Sequence, residues 1–332
     1  MGRSAMARMA SPGHCWIATL ALYLENRQYA PVAAYDVVEI PAGIEREIYE
    51  QLGSKEKFWF RHNDGERWLF KYSRLNTGEH WAEKVASEVA ERLQLPHARV
   101  ELATFEGHWG SIALDFTQDG RHDLVHGNEL LTELDPQYPS GDTYHVSAHT
   151  VDAVFDVLTQ SFVAAPGSAS LPDWLGAFDL FIGYLLLDAV IGNTDRHHEN
   201  WGVLSTSTQP RKVELAPTFD HASSLGRELT DTGRTRKYGT ARGAYRVDRY
   251  LDKARSALFE TPSSARPLRT LEAFRKAASL SPAAGQYWIG RLRESFDELR
   301  SVLECVPRDV ITPTSREFAY QLLRLGAERL LE

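Results

Sequence analysis

The sequence predicts an α+β fold in two parts, a β-rich small lobe followed by a helical large lobe, and three observations carry that prediction. Residues Lys57 to Tyr72 alternate apolar and polar side chains twice, FWFRH and then RWLFKY, around Asn63-Asp64-Gly65, the pattern of two antiparallel strands joined by a tight turn. Trp174 to Ile191 is an almost unbroken apolar run, which reads as a helix buried on all sides in a larger body. Beyond it, Phe274, Ala277, Ala278, Tyr287, Ile289, Leu292, Phe296, Leu299 and Leu303 keep a helical stripe that Phe318 to Leu331 repeats.

Taken in order, residues 1–35 are expected to form an N-terminal extension, disordered or loosely docked, with Met6 and Met9 as alternative starts. Its apolar run Cys15 to Leu24 follows Arg3 and Arg8 as in a signal peptide, but Arg27 comes soon after and no small-residue cleavage site is defined. The small lobe is expected over 36–125. It holds the hairpin, then a helix from Trp81 to Leu95 with Val85, Val89 and Leu93 on one face, Thr77-Gly78 before it and Pro96 closing it. Val100 to Phe116 follows as a second strand pair turning at Glu106-Gly107. The large lobe is expected over 126–332.

Composition narrows the function. The chain has 332 residues, 43% hydrophobic, enough for one large core or two modest ones flanking a cleft. Its net charge of −8 excludes a protein that coats nucleic acid or anionic membrane, and the apolar run near the start is too short to span a bilayer. Cys15 and Cys305 are far apart, which excludes a disulfide framework and a thiolate zinc site and fits the cytoplasm.

The chemistry concentrates in Gly192 to Leu204, GNTDRHHENWGVL, a polar loop between apolar elements. Charges there cost several kcal/mol unless they are paired or bind a ligand. Asp195 and Asn200 stand in DxxxxN spacing, the interval of the protein-kinase loop in which the Asp accepts the substrate hydroxyl proton and the Asn binds magnesium. A further magnesium ligand is expected downstream, and Asp220 stands in Thr218-Phe219-Asp220-His221 after the apolar run Val213 to Ala216. Hard oxygen donors for the metal and one carboxylate aimed at a hydroxyl are what phosphoryl transfer requires.

At these residues the sequence resembles a family. NTDRHHENWGVL followed by LAPTFDHASSLG resembles the catalytic loop and metal-binding segment of HipA-like kinases, and DRHxxN also looks like the loop of phosphoinositide kinases. The resemblance implies a bilobed protein-kinase-like fold with ATP between the lobes, Asp195 as catalytic base, His197 as a loop-orienting residue, and Asn200 and Asp220 as magnesium ligands. Leu52 to Trp59 looks like the loop that covers the phosphates, with Gly53, Ser54, Lys55 and Lys57 as contacts. Lys71 looks like the strand lysine on the α- and β-phosphates and Glu83 like its ion-pair partner, with Glu88 as the alternative. His126-Gly127-Asn128-Glu129-Leu130-Leu131 resembles a post-hinge stretch. The chain departs from the family in having one glycine in the phosphate loop and Ala222 in place of a glycine after Asp220-His221. It is expected to be a short form, without the N-terminal subdomain of full-length HipA proteins.

The implied activity is transfer of the γ-phosphoryl of ATP, with magnesium, to a Ser or Thr of a protein substrate, with Ser54 as an autophosphorylation site. A DNA-binding antitoxin would be a separate chain, because nothing here reads as a helix-turn-helix. The alternatives are a small-molecule or lipid kinase, and a nucleotide-binding pseudokinase acting as an interaction module. Blander readings exist for single residues. Asp195 and Asn200 could cap a helix, Lys71 could be an edge-strand lysine, and His122 with His126 could stand one helical turn apart as zinc ligands do. The basic run Arg227 to Arg249 reads as a solvated face or, after Asp220, as a holder of acidic substrate groups.

Overall fold

The alternating segments of the first half pair as the sequence suggests, and long-range pairing then closes them into a sheet. A computed structural model describes residues 33–47, 56–160, 162–167, 171–206, 212–238 and 244–332, and Ala34–Glu332 form one unit by their internal contacts. The extension expected over 1–35 and the phosphate-loop residues Gly53, Ser54 and Lys55 thus lie outside the described residues, apart from the last three of the extension. Of those, Tyr35 donates its backbone N–H to Cys305 O at 2.7 Å and lies under Lys84 Nζ at 4.6 Å from the ring centroid.

Six strands form the first sheet: β1 (Val37–Ile40), β2 (Arg46–Glu47), β3 (Lys57–Arg61), β4 (Arg67–Tyr72), then β5 (Val100–Phe105) and β6 (His108–Leu114) beyond helix α1 (Glu79–Arg92). Their order is β1-β5-β6-β4-β3-β2, antiparallel except for the β1–β5 pair. Because side chains alternate faces along a strand, Phe58, Phe60, Trp68, Phe70, Phe105 and Ile112 fall together on one face and form a separate aromatic core. Leu102 points the other way, into the core that Val85 and Val89 of α1 share with the large lobe. Helix α1 is therefore buried nearly all round, wedged between its sheet and the second half of the chain.

A second sheet, in the order β7-β9-β10-β8, is built from β7 (His122–His126), β8 (Val163–Ala164), β9 (Gly202–Thr206) and β10 (Val213–Leu215), with helices α2 (Gly127–Leu134), α3 (Val151–Leu158) and α4 (Ala177–Ile191) between them. His122 and His126 lie on a strand, not a helix, so four residues separate them by about 13 Å and the zinc-like spacing disappears. The run Trp174 to Ile191 is α4, buried along almost its whole length. Helices α5 (Asp231–Tyr238), α6 (Ala244–Lys253), α7 (Thr270–Leu280), α8 (Pro282–Ser295), α9 (Leu299–Glu304) and α10 (Pro313–Leu331) follow, and α7, α8 and α10 pack against α4. The fold is α+β and bilobed, a β-rich small lobe and a helical large lobe, with Tyr35 already joined to it and β7 of the 36–125 segment paired to the sheet of the large lobe. Among the described residues, no helix is long and apolar enough to cross a membrane.

Candidate active site

The loop of candidate site residues begins where α4 must stop. Gly192 adopts φ 64°, the left-handed conformation that ends a helix with least strain in glycine. One charged residue interrupts the apolar run of α4 near its end, Asp188, and it anchors the loop. Arg196 donates to it twice, Nε to Oδ2 and Nη2 to Oδ1, both at 2.8 Å, with each side chain 1% exposed. The same guanidinium donates to Asn200 O at 2.8 Å and to His221 Nε2 at 3.2 Å, and Asn193 Nδ2 adds a bond to Asp188 Oδ1 at 2.8 Å. A buried pair with its lone pairs and protons satisfied in this way is a rigid support.

From that anchor the loop presents Asp195, half-buried, and Asn200, buried. Asn200 Nδ2 donates to Asp195 O at 2.6 Å, which fixes the two residues relative to each other and leaves the amide oxygen unused by that bond. Asp195 Oδ2 accepts from Ser223 Oγ at 3.1 Å, and Oδ1 lies 3.8 Å from His197 Nε2. His197 Nδ1 accepts from the backbone N–H of Glu199 at 3.2 Å, which places its proton on Nε2, toward Asp195. Burial holds the His197 pKa below its usual value against the opposing pull of Asp195 and Glu199.

Asp220 follows β10 with φ 58°, a left-handed conformation uncommon outside glycine, asparagine and aspartate. Such strain is found where surrounding structure enforces it at functional sites. The carboxylate faces Lys71 of β4, with Oδ1 3.4 Å from Nζ. Lys71 also donates to Glu83 Oε1 at 3.1 Å, and Glu83 is held by Ser111 Oγ at 3.1 Å. Burial alone lowers the pKa of an ammonium, but Asp220 and Glu83 outweigh it and raise that of Lys71. Glu88 pairs elsewhere, with Lys84 at 2.8 Å. Lys57 stands directly opposite Lys71 in the β3–β4 ladder, so the two side chains share a face.

The residues expected at the site therefore meet across the two lobes: Lys71, Glu83 and Lys57 from the small lobe, Asp195, His197, Asn200 and Asp220 from the large one. Asn200 and Asp220 offer hard oxygen donors of the kind magnesium takes alongside substrate phosphates. Among the described residues no cluster of three or more His, Cys, Asp or Glu is arranged to hold a metal by itself. The HGNELL stretch packs on the loop. Gly127 donates to Trp201 O at 2.9 Å, Asn128 to His198 O at 3.1 Å, and a Cβ on Gly127 would stand 2.3 Å from the Trp201 ring.

Sequence reasoning missed several participants. Asp188 had a signal, an acid near the end of an apolar helix. Tyr144, exposed, sets its ring against His197 at 5.5 Å, and the Asp195 charge is the first cause raising its pKa. Glu79, Ser223 and Arg227 also join the site. Within the basic run after Asp220, Arg227 and Arg234 turn inward, Arg227 to Glu79 and Ser223, Arg234 to Asp231 and Gly226 O.

Comparisons with known proteins agree with this architecture. The Helicobacter pylori proinflammatory kinase CtkA superposes with a TM-score of 0.66 at 18% identity, over 90% of this chain and 99% of that one. HipA of the Shewanella oneidensis MR-1 toxin–antitoxin system, solved with HipB and operator DNA, gives a TM-score of 0.47 at 14% identity over 94% and 70%. A Golgi casein kinase with Mn/ADP bound gives 0.34 at 13% over 90% and 73%. Among curated proteins, none matches. At these identities the first superposition shows a kinase-like fold, and the other two are weaker likenesses. The sequence itself matches the HipA-like C-terminal domain over residues 49–280, and the chain belongs to that family.

Proposed function

We propose that this chain is an ATP- and magnesium-dependent phosphotransferase that moves the γ-phosphoryl group to a hydroxyl, in particular to a Ser or Thr of a protein. The observation that carries this reading is Lys71 Nζ between Glu83 and Asp220, at 3.1 and 3.4 Å. A largely buried cation held between lobes by two carboxylates is prepared to meet phosphate oxygens once nucleotide displaces part of that pairing.

In the proposed reaction the acceptor oxygen attacks the γ-phosphorus in line, the bond from that phosphorus to the bridging oxygen breaks, and ADP leaves with the bond's electron pair. The acceptor's proton passes to the Asp195 carboxylate. Asp195 orients the hydroxyl and His197 faces its Oδ1. Lys71 and Lys57 hold phosphates, with Gly53, Ser54 and Lys55 as the proposed cover. Asn200 and Asp220 would hold magnesium, which when bound neutralises the phosphate charge that develops in transfer. In an active site supplied with water-excluding walls, positioning and electrostatics provide most of the rate.

Incubation of the purified chain with γ-labelled ATP, magnesium and a cell lysate tests the reading. Label on Ser or Thr of proteins is the expected result. Label confined to small metabolites would move the acceptor class to small molecules or lipid headgroups, and nucleotide binding with no transfer would make the chain a pseudokinase. Mapping phosphoserine after ATP alone tests Ser54 as the autophosphorylation site. Family membership further motivates a separate antitoxin chain, which affinity purification of the tagged chain from its native cells tests, and the sparse cysteines motivate a cytoplasmic site of action, which cell fractionation tests.

A further inference from the structure

Between the candidate base and the small lobe runs a chain of contacts that phosphate and metal binding do not require. Ser223 Oγ donates to Asp195 Oδ2 at 3.1 Å. Arg227 Nη2 donates to Ser223 Oγ at 3.1 Å, while Nη1 donates to Glu79 Oε1. Glu79 is the first residue of α1, buried, and Arg74 grips it by its side chain at 3.0 Å and its backbone N–H at 2.9 Å. The backbone binds there as well, Gly78 N–H to Arg227 O at 2.8 Å. Arg227 is thus fixed to the small lobe at two points, and its remaining fork reaches the serine that touches the base.

Ser223 has one proton and gives it to Asp195. What orients that proton is Arg227, which can only donate and therefore occupies one of the hydroxyl's two lone pairs, turning the proton away from itself. The carboxylate is held by Oδ2, which leaves Oδ1, beside His197, to meet an acceptor hydroxyl. A free carboxylate would rotate about its last torsion, a broad and nearly two-fold one, and spend part of its time misaligned. Loss of alignment near reacting atoms costs rate steeply.

We propose that Ser223 and Arg227 are positioning residues, a relay that sets the orientation of Asp195 according to the seating of α1 on the large lobe. The proposal rests on the reading of Asp195 as the base. Both termini of the relay are charged and the middle is a single hydroxyl, so each link has a distinct variant. Lysine at 227 cannot serve as a substitute, because a single ammonium lacks the fork that reaches Glu79 and Ser223 together.

The experiment measures transfer of labelled phosphate from magnesium ATP to casein and to the chain itself, together with affinity for a fluorescent ATP analogue and the thermal midpoint. Ser223→Ala should lower turnover by about tenfold to a hundredfold with unchanged KM for ATP, analogue affinity and midpoint, and Ser223→Thr should restore most of it. Arg227→Lys and Arg227→Met should lower turnover similarly, and Ser223→Ala combined with Arg227→Met should lose no more than either alone, as links in series do. If Arg227→Met fails to fold, the serine pair still decides the matter. Wild-type turnover in Ser223→Ala, with Asp195→Asn inactive, overturns the relay and spares the base. A loss in Ser223→Ala that tracks a lower midpoint and that threonine does not rescue also overturns it. Wild-type turnover in Asp195→Asn, or no transfer by the wild type, removes both.

Discussion

Lys71 Nζ in the small lobe lies 3.4 Å from Asp220 Oδ1 in the large lobe, so one ion pair spans the cleft at the point where phosphates are proposed to bind. Lys71→Met removes the cation but keeps much of the side chain's bulk. It should reduce kcat/KM for ATP by roughly 10²-fold or more, the scale for losing one preorganised electrostatic contact. Glu83→Gln, which keeps a hydrogen-bond acceptor, should cost less. Wild-type kinetics in Lys71→Met would contradict the placement of the phosphates.

Asp220→Ala removes one proposed magnesium ligand. Nucleotide affinity measured by titration calorimetry should fall when magnesium is present and change little when it is chelated, because the lost donor acts through the ion. Equal loss in both conditions would indicate a role that does not depend on the metal.

The buried pair of Arg196 and Asp188 should behave as a structural anchor. Asp188→Ala leaves a guanidinium 1% exposed without its counter-charge, and urea unfolding should show a loss of about 3–5 kcal/mol. Replacing both partners by apolar residues, Asp188→Leu with Arg196→Met, should recover part of that stability while turnover stays low, since the bond to Asn200 O would still be missing. Full recovery of turnover would show that the loop needs no such anchor.

Acid should destabilise the fold through its buried histidines. His149 Nε2 accepts from Trp201 Nε1 at 3.0 Å and its Nδ1 faces Ala257 O at 3.2 Å, an arrangement only the neutral ring can make. Burial first, then the neighbouring His198, push its pKa down to about 3. A depressed histidine contributes stability that is whole above its unfolded pKa, near 6.5, and is lost as pH falls toward the folded value. Unfolding free energy should therefore drop by about 1.4 kcal/mol per pH unit for each such group between about pH 6 and 4, and His149→Gln should flatten the slope. An unchanged slope would mean that His149 is not the group responsible.

The parts legible in the sequence are those fixed by local physics. The Asn63-Asp64-Gly65 turn sets the register in which Lys57 faces Lys71, the apolar run of α4 marks the core, and the DxxxxN spacing marks the loop. What sequence did not reveal depends on residues brought together from far away. Arg227 meets Glu79 across 148 positions, and a basic run gives no sign of which arginines turn inward. β1 joins β5 in parallel, a pairing no turn signals. His122 and His126 kept a helical spacing on a strand, because four residues read alike in both periods until the β9 partner is known. Asp188 was readable in principle, since an acid inside an apolar helix must find a cation.

The measurement that bears most directly on the proposed chemistry is the turnover of Asp195→Asn beside its affinity for ATP. Asparagine keeps the shape and can still accept from Ser223, but it cannot take the acceptor's proton. Transfer of labelled phosphate should fall by about two to four orders of magnitude, the range for a positioned general base, while ATP binding and the thermal midpoint stay close to wild type. Transfer at the wild-type rate would contradict the assignment of Asp195 and with it the proposed mechanism.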